Sequence, residues 1–178
     1  MSALLKVELG AGATKKPGWK TVDVNPAFEP DYVASALHLP FADGSVDWMR
    51  AVDVLEHLSY RDTHGALAEW ARVMRRGGEL YVQVPDADTI MDWYVNDPTR
   101  LGQTDKGPCT ALEGATWRLL GGHHDDQYAG DDDDWRWNAH YALFSRGSLH
   151  TALDRAGFDV VSLHTNGHPN LLCNAVRV

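Results

Sequence analysis

The chain has 178 residues, is 44% hydrophobic and 23% charged, and carries a formal net charge of −9. That length suits one domain over residues 1–178, and the acidic balance argues against nucleic-acid binding, which needs clustered Lys and Arg. Two cysteines, Cys109 and Cys173, are too few for a disulfide framework; with no apolar run of about 20 residues and no leader pattern, a cytoplasmic protein without a membrane partner is expected.

Residues 3–9 read as a first strand, Leu- and Val-rich as a strand buried on both faces should be. Gly10 and Gly12 follow as a tight turn, and residues 20–24 form a second strand ending on Asp23. Only Ala13 to Gly18 lie between, and Pro17-Gly18 breaks any helix there. A dinucleotide needs a helix N-terminus for its pyrophosphate. A ligand with ribose and adenine but no phosphate fits better, and S-adenosylmethionine is such a ligand. Asp23, at the carboxyl end of its strand, can accept both ribose hydroxyls.

Asp31 to Ala34 is a short third strand, and Ala42 to Ser45 is a turn by composition. Val46 to Val54 reads as the fourth strand, with Asp53 near its carboxyl end. Ser59 opens a helix, with Asp62 three residues on as a variant capping box. Leu67, Trp70, Ala71 and Met74 make its apolar stripe. Arg72, Arg75 and Arg76 suit its last turn, and Gly77-Gly78 should stop it. Glu79 to Val84 is the fifth strand, ended by Pro85-Asp86.

From Ala87 to about Asn138 the regular pattern is interrupted. Ile90 to Tyr94 and Leu112 to Leu120 look helical, and Trp93, Trp117, Trp135 and Trp137 fall beside His123, His124 and His140. A long insertion of this kind suggests a lid or binding loop. Ser145 to Ala156 is an amphipathic helix. Phe158 to His164 and Leu171 to Val178 are the last strands, joined by the turn residues Asn166-Gly167 and Pro169.

Five motifs occur in order: Glu8-Leu9-Gly10-Ala11-Gly12, Pro17-Gly18-Trp19-Lys20-Thr21-Val22-Asp23, residues 39–47 around Leu39-Pro40-Phe41, Val54-Leu55-Glu56-His57-Leu58 and Arg76-Gly77-Gly78-Glu79-Leu80. Together they resemble the class I methyltransferases that use S-adenosylmethionine, in the small type-11-like branch. The Gly121-Gly122…His140…Phe144-Ser145 pattern resembles an uncharacterised bacterial branch of that family. The resemblance implies an α/β, Rossmann-like fold with a seven-stranded, mostly parallel sheet of order 3-2-1-4-5-7-6. Its last strand would be antiparallel, with an irregular insertion at about 87–144 holding the methyl-acceptor pocket. It implies S-adenosyl-L-methionine as cofactor, contacted by Glu8, Gly10, Ala11, Gly12, Asp23, Val24, Ser35, Ala36, Leu37 and Asp53. Ser35 stands where the family often has an acid for the adenine amino group, and a hydroxyl accepts that bond more weakly than a carboxylate.

An acceptor that carries a proton benefits from a histidine base. His140 is the first candidate, His124 the second and His57 the third. His123, His124, Asp125 and Asp126 match no metal-ligand spacing, so no metal is expected. The acceptor is expected to be a small molecule, such as a sugar or cell-surface precursor. Two alternatives compete with this enzyme: a catalytically weak module that binds the cofactor or a protein partner, and an NAD-dependent oxidoreductase. The missing third glycine and missing helix after Gly12 count against the last.

Overall fold

The structure, a computed structural model, describes residues 4–104, 107–121, 139–165 and 167–178. Seven strands form one sheet: β1 (Lys6–Leu9), β2 (Lys20–Asp23), β3 (Tyr32–Val33), β4 (Val46–Val52), β5 (Met74–Pro85), β6 (Phe158–Thr165) and β7 (Asn170–Arg177). Their order is β3-β2-β1-β4-β5-β7-β6. The first five strands run parallel, and β7 lies antiparallel between β5 and β6. This is the Rossmann-like order the sequence implied.

The strands bury one face against helices α1 (Tyr60–Val73) and α4 (Arg146–Arg155). Between these two helices lie α2 (Ala87–Asn96) and α3 (Ala111–Leu120). Val7 and Leu9, Met49 and Ala51, Leu80 and Val82, and Cys173 and Ala175 alternate inward. They join one buried cluster with Leu67 and Trp70 of α1 and Leu149 and Leu153 of α4. The opposite face of β1 does not match the apolar burial its sequence suggested. Glu8 is buried there by ion pairs with Arg50 and Lys16. Beside it, Arg50 lies over Tyr81, and Lys6 over both Trp19 and Trp48. That face is dressed by cations stacked on aromatic rings. Between β1 and β4 the segments that connect the strands are loops and one 3-10 turn, Pro26–Phe28, with no α-helix. The expected absence of a helix after Gly12 is therefore observed.

Helix α1 begins as expected, with the Ser59 hydroxyl accepting the Asp62 N–H and donating to the Asp62 carboxylate. Its end differs from expectation. The helix stops at Val73, and Met74 already pairs with Val46 in the sheet. Arg72 alone of the three arginines lies in the last turn; Arg75 instead pairs with Asp47 at the start of β4. Gly78 sits inside β5, with no room for a β-carbon between the carbonyl oxygens of Arg75 and Asp47. The two glycines thus permit close backbone approach in the strand rather than ending the helix. β4 also ends earlier than expected, at Val52, because Asp53 turns into the left-handed region with φ of 53°.

The insertion is more regular than its sequence suggested. Helices α2 and α3, a 3-10 turn at Pro98–Leu101 and a two-strand ribbon of Gln103–Thr104 with Gly107–Pro108 form a small unit. Ile90, Leu101 and Ala115 are its core. Gly114 belongs to α3 because the Leu101 carbonyl lies where its β-carbon would be. The unit is rooted on the sheet by Asp86, whose N–H donates to Pro169, and by Ala87, whose N–H donates to Phe144. Asn166, expected in the last turn, lies outside the described residues.

The sheet edge that frames the crevice depends on Asp31. Its carboxylate accepts from Lys20 Nζ at 2.8 Å, the Thr21 N–H at 2.9 Å and the Thr21 hydroxyl at 3.0 Å. These bonds pull its pKa down to about 2 from 3.8, with the Lys20 bond the largest cause. A lowered carboxylate pKa stabilises the fold above the unfolded value and loses that contribution as pH falls toward 2. Asp31→Asn is expected to cost about 0.5–1 kcal/mol at pH 7, since the site is solvent-screened. It should also flatten the acid limb of the stability–pH curve between pH 4 and 2. Chemical denaturation at a series of pH values checks this, and an unchanged acid limb contradicts it.

Candidate functional site

The carboxyl ends of β1, β2 and β4 open onto a crevice of about 590 Å³, within the usual range for small-molecule sites. At its mouth Gly10 and Gly12 take φ of 60° and 52°. A β-carbon on Gly10 would meet the Val54 side chain at 2.6 Å, so this turn tolerates only glycine there. Asp23 fixes both loops around it. One carboxylate oxygen accepts the Gly12 N–H and the other the Asn25 N–H, each at 2.9 Å.

The crevice is lined by Gly10, Gly12, Asp23, Val24, Ser35, Ala36 and Asp53 from the expected cofactor set. Glu8, Ala11 and Leu37 are placed elsewhere. The Glu8 carboxylate faces Arg50 and Lys16 across the sheet, Ala11 is buried in the turn, and the Leu37 side chain lies against Gly65 of α1. The Ser35 hydroxyl accepts the Leu37 N–H at 3.2 Å. Ala36 is tied down by Trp70, whose indole N–H donates to its carbonyl.

Sequence reasoning missed Asn25, Ala27, Phe28, Val54 and Leu58 in the lining. Asn25-Pro26 was the available signal: Asn25 caps the Pro26–Phe28 turn by accepting the Ala27 N–H, and that turn puts Phe28 in the wall.

At the far end, the chain leaves β4 through Asp53 and the 3-10 turn Leu55–His57. Asp53 is a non-glycine residue in left-handed backbone, held by its N–H to the Gln83 carbonyl and by the Gln83 amide. Burial raises its pKa, opposed by the Gln83 bond and by His57 and Arg50. His57 lines the crevice. Its Nδ1 lies 3.1 Å from the Ala139 carbonyl, and burial pushes its pKa down, which favours the neutral ring. His140 is brought against it, with ring centroids 4.9 Å apart in an edge-on arrangement. His124, with His123, Asp125, Asp126, Trp135 and Trp137, lies outside the described residues.

Glu56 completes this corner. It is 1% exposed, and among the described residues neither carboxylate oxygen has a hydrogen-bond partner from another residue. One ligand atom each from Glu56, His57 and His140 lie within 4.8 Å of one another.

A family model described as a methyltransferase domain matches residues 11–82. Over those residues the chain is similar to methyltransferase domains of the type-11 kind. Solved structures of similar fold are described as S-adenosylmethionine-dependent methyltransferases. Methyltransferase GfsG of Streptomyces halstedii is 37% identical over 65 residues, 36% of this chain and 21% of that protein. An uncharacterized protein of Methanocaldococcus jannaschii is 38% identical over 58 residues, 33% of this chain and 24% of that protein. The chain spans 14% to 24% of the length of the curated relatives it matches.

Among solved structures, a S-adenosylmethionine-dependent methyltransferase from Methanosarcina mazei has a TM-score of 0.61 at 14% identity, covering 100% of this chain and 94% of that one. The [4+2]-cyclase SpnF has a TM-score of 0.60 at 12% identity, covering 99% of this chain and 76% of that one. At these identities the likeness is one of fold. Among the described residues no helix is long and apolar enough to cross a membrane.

Burial, and then Asp53, hold the Glu56 carboxyl well above its ordinary value of 4.5. A raised carboxyl pKa contributes stability below the unfolded value and loses it as pH rises through the folded value. Glu56→Gln in chelator-containing buffer is therefore expected to melt above the parent chain at pH 8, with the difference shrinking toward pH 4. Thermal melts across that range check it, and a variant that melts lower at pH 8 refutes it.

Proposed function

We propose that this chain binds S-adenosyl-L-methionine in the crevice and transfers its methyl group to a small-molecule acceptor. The observation that carries this reading is Asp23: its carboxylate closes the glycine turn and also faces the crevice. Each carboxylate oxygen keeps a lone pair after accepting one backbone N–H. Asp23 can therefore receive the ribose hydroxyls while it holds Gly12 in place. Val24, Ala34, Ala36 and Phe28 offer apolar walls for the adenine ring, and the Ser35 hydroxyl lies on the same side. With the nucleoside so seated, the sulfonium end lies toward Asp53 and His57.

Transfer is then an in-line displacement: the acceptor atom bonds the methyl carbon while the carbon–sulfur bond breaks and S-adenosylhomocysteine leaves. Proximity supplies most of what the protein contributes, up to about 7–11 kcal/mol. The acceptor's proton departs toward His57 and His140, the described imidazoles at that end. A sugar or cell-surface precursor is the proposed acceptor class, and the cytoplasm the proposed compartment.

A second reading, a module that binds the cofactor without catalysis, is favoured by Ser35, whose hydroxyl is already engaged by the Leu37 N–H. Calorimetry with S-adenosylhomocysteine should give one site per chain, and the absence of heat at millimolar ligand overturns both readings. Asp23→Ala is expected to weaken binding by about 1.5–3 kcal/mol, the range for hydrogen bonds to a charged group. An unchanged affinity removes Asp23 from the site. Methyl transfer to any member of a metabolite panel excludes the second reading.

A further inference from the structure

We infer that Glu56, His57 and His140 form a binding site for a divalent first-row transition ion, with Zn²⁺ as the favoured occupant. Two neutral imidazoles and one carboxylate are the donor set of open Zn²⁺ sites, which leave a coordination position for water or substrate. The three side chains already place one ligand atom each within 4.8 Å of the others. Ligands on a common tetrahedral ion, each about 2.0–2.2 Å from it, stand about 3.4 Å apart. Small side-chain rotations close that gap.

The second observation is Glu56 itself. Among the described residues both its carboxylate oxygens are buried without a hydrogen-bond partner from another residue, and none of the described ion pairs includes it. Its charged neighbour is Asp53, another acid. A buried carboxylate in this position needs a cation or a proton. The only cations the cluster itself could supply are protonated His57 and His140, whereas an ion held by both neutral rings supplies a full compensating charge.

The site is also held from outside. The His57 Nδ1 faces the Ala139 carbonyl at 3.1 Å. A proton on Nδ1 donates to that carbonyl and leaves the Nε2 lone pair for a metal, the usual outer support of a ligating histidine. The register of His140 is fixed by backbone. The N–H groups of Tyr141 and Ala142 both donate to the Glu56 carbonyl, at 2.7 and 3.1 Å, and the His140 N–H donates to Leu120. The insertion therefore returns to the sheet at the one place that completes the donor set.

His57 also lines the crevice, so the site adjoins it. An oxygen of the methyl acceptor suits the ion, which would then lower that oxygen's pKa in place of a histidine base; this role rests on the methyl-transfer reading, whereas the metal site does not.

The test uses the full chain, stripped with a chelator and dialysed. Titration with Zn²⁺ should show one tight equivalent and a raised melting temperature, and Co²⁺ should give a visible absorption band characteristic of nitrogen and oxygen ligation. Glu56→Gln and His140→Gln should each weaken Zn²⁺ by about tenfold or more, while the His123→Gln/His124→Gln pair keeps the full equivalent. S-adenosylhomocysteine binding on the same samples reports that each variant is folded. No stoichiometric Zn²⁺ or Co²⁺ binding by the parent chain overturns the site, with cofactor binding left to judge the methyltransferase reading separately. Binding that survives Glu56→Gln and His140→Gln but falls with His123 and His124 overturns it as well.

Discussion

Two backbone N–H groups on one carboxylate hold the functional edge of this protein together. Asp23 takes the Gly12 N–H with one oxygen and the Asn25 N–H with the other. It thereby fastens the loop after β1 to the loop after β2, where the chain has no helix to position either. A crossover helix would normally orient such a loop by packing on the sheet. Here the segment from Ala11 to Trp19 is too short for one, and hydrogen bonding substitutes for packing. The same economy recurs at the next connection, where Asp31 reaches back to Lys20 and Thr21. The crevice walls are consequently set by acids at strand ends.

The missing crossover helices shift the rest of the architecture. The first strands cannot be covered on both sides as parallel strands usually are. Apolar side chains therefore gather on the face shared with α1 and α4, and the other face carries Glu8 with Arg50 and cations over Trp19, Trp48 and Tyr81. Trp70 links this arrangement to the site: it fills the core under α1 and donates its indole N–H to Ala36 in the crevice wall. Core packing and crevice shape thus meet in one side chain.

What the sequence disclosed follows from how local each signal is. Strands β1, β2 and β5, the Ser59 cap and the last hairpin are written in neighbouring residues: short apolar runs, a hydroxyl three positions before an acid, turn residues at fixed places. Their existence was legible, and the sheet order followed from the family resemblance. Boundaries were less so where backbone approach decides them. Gly77-Gly78 looks like a helix stop, but Gly78 is required inside β5 by two carbonyl oxygens, that of Arg75 earlier in the same strand and that of Asp47 in β4. The crevice residues Gly10, Gly12 and Asp23 were legible for the same local reason. The corner of Glu56, His57 and His140 was not. His57 and His140 were named singly as bases, but their approach depends on where the insertion returns. That return is fixed by backbone bonds to the Glu56 carbonyl, which leave no trace in residue spacing.

The departures from ordinary folding rules are concentrated at the carboxyl end of β4. Within five residues the chain places a non-glycine in left-handed backbone, Asp53, and an unpartnered buried acid, Glu56. The first costs about 1–3 kcal/mol and the second a further desolvation penalty. Both could be removed by conservative changes, glycine or asparagine at one position and glutamine at the other, without disturbing a strand or helix. Nothing in the packing of the sheet calls for either residue: Asp53 follows the last paired residue of β4, and the Glu56 backbone carbonyl could receive Tyr141 and Ala142 with any side chain attached. Local costs that the fold does not require are the mark of residues kept for chemistry. They stand where the sulfonium end of a nucleoside seated on Asp23 would arrive. The stability lost at this corner and the reactivity proposed for it are then two consequences of one choice: the Glu56 carboxylate is held away from water until a ligand arrives to balance it.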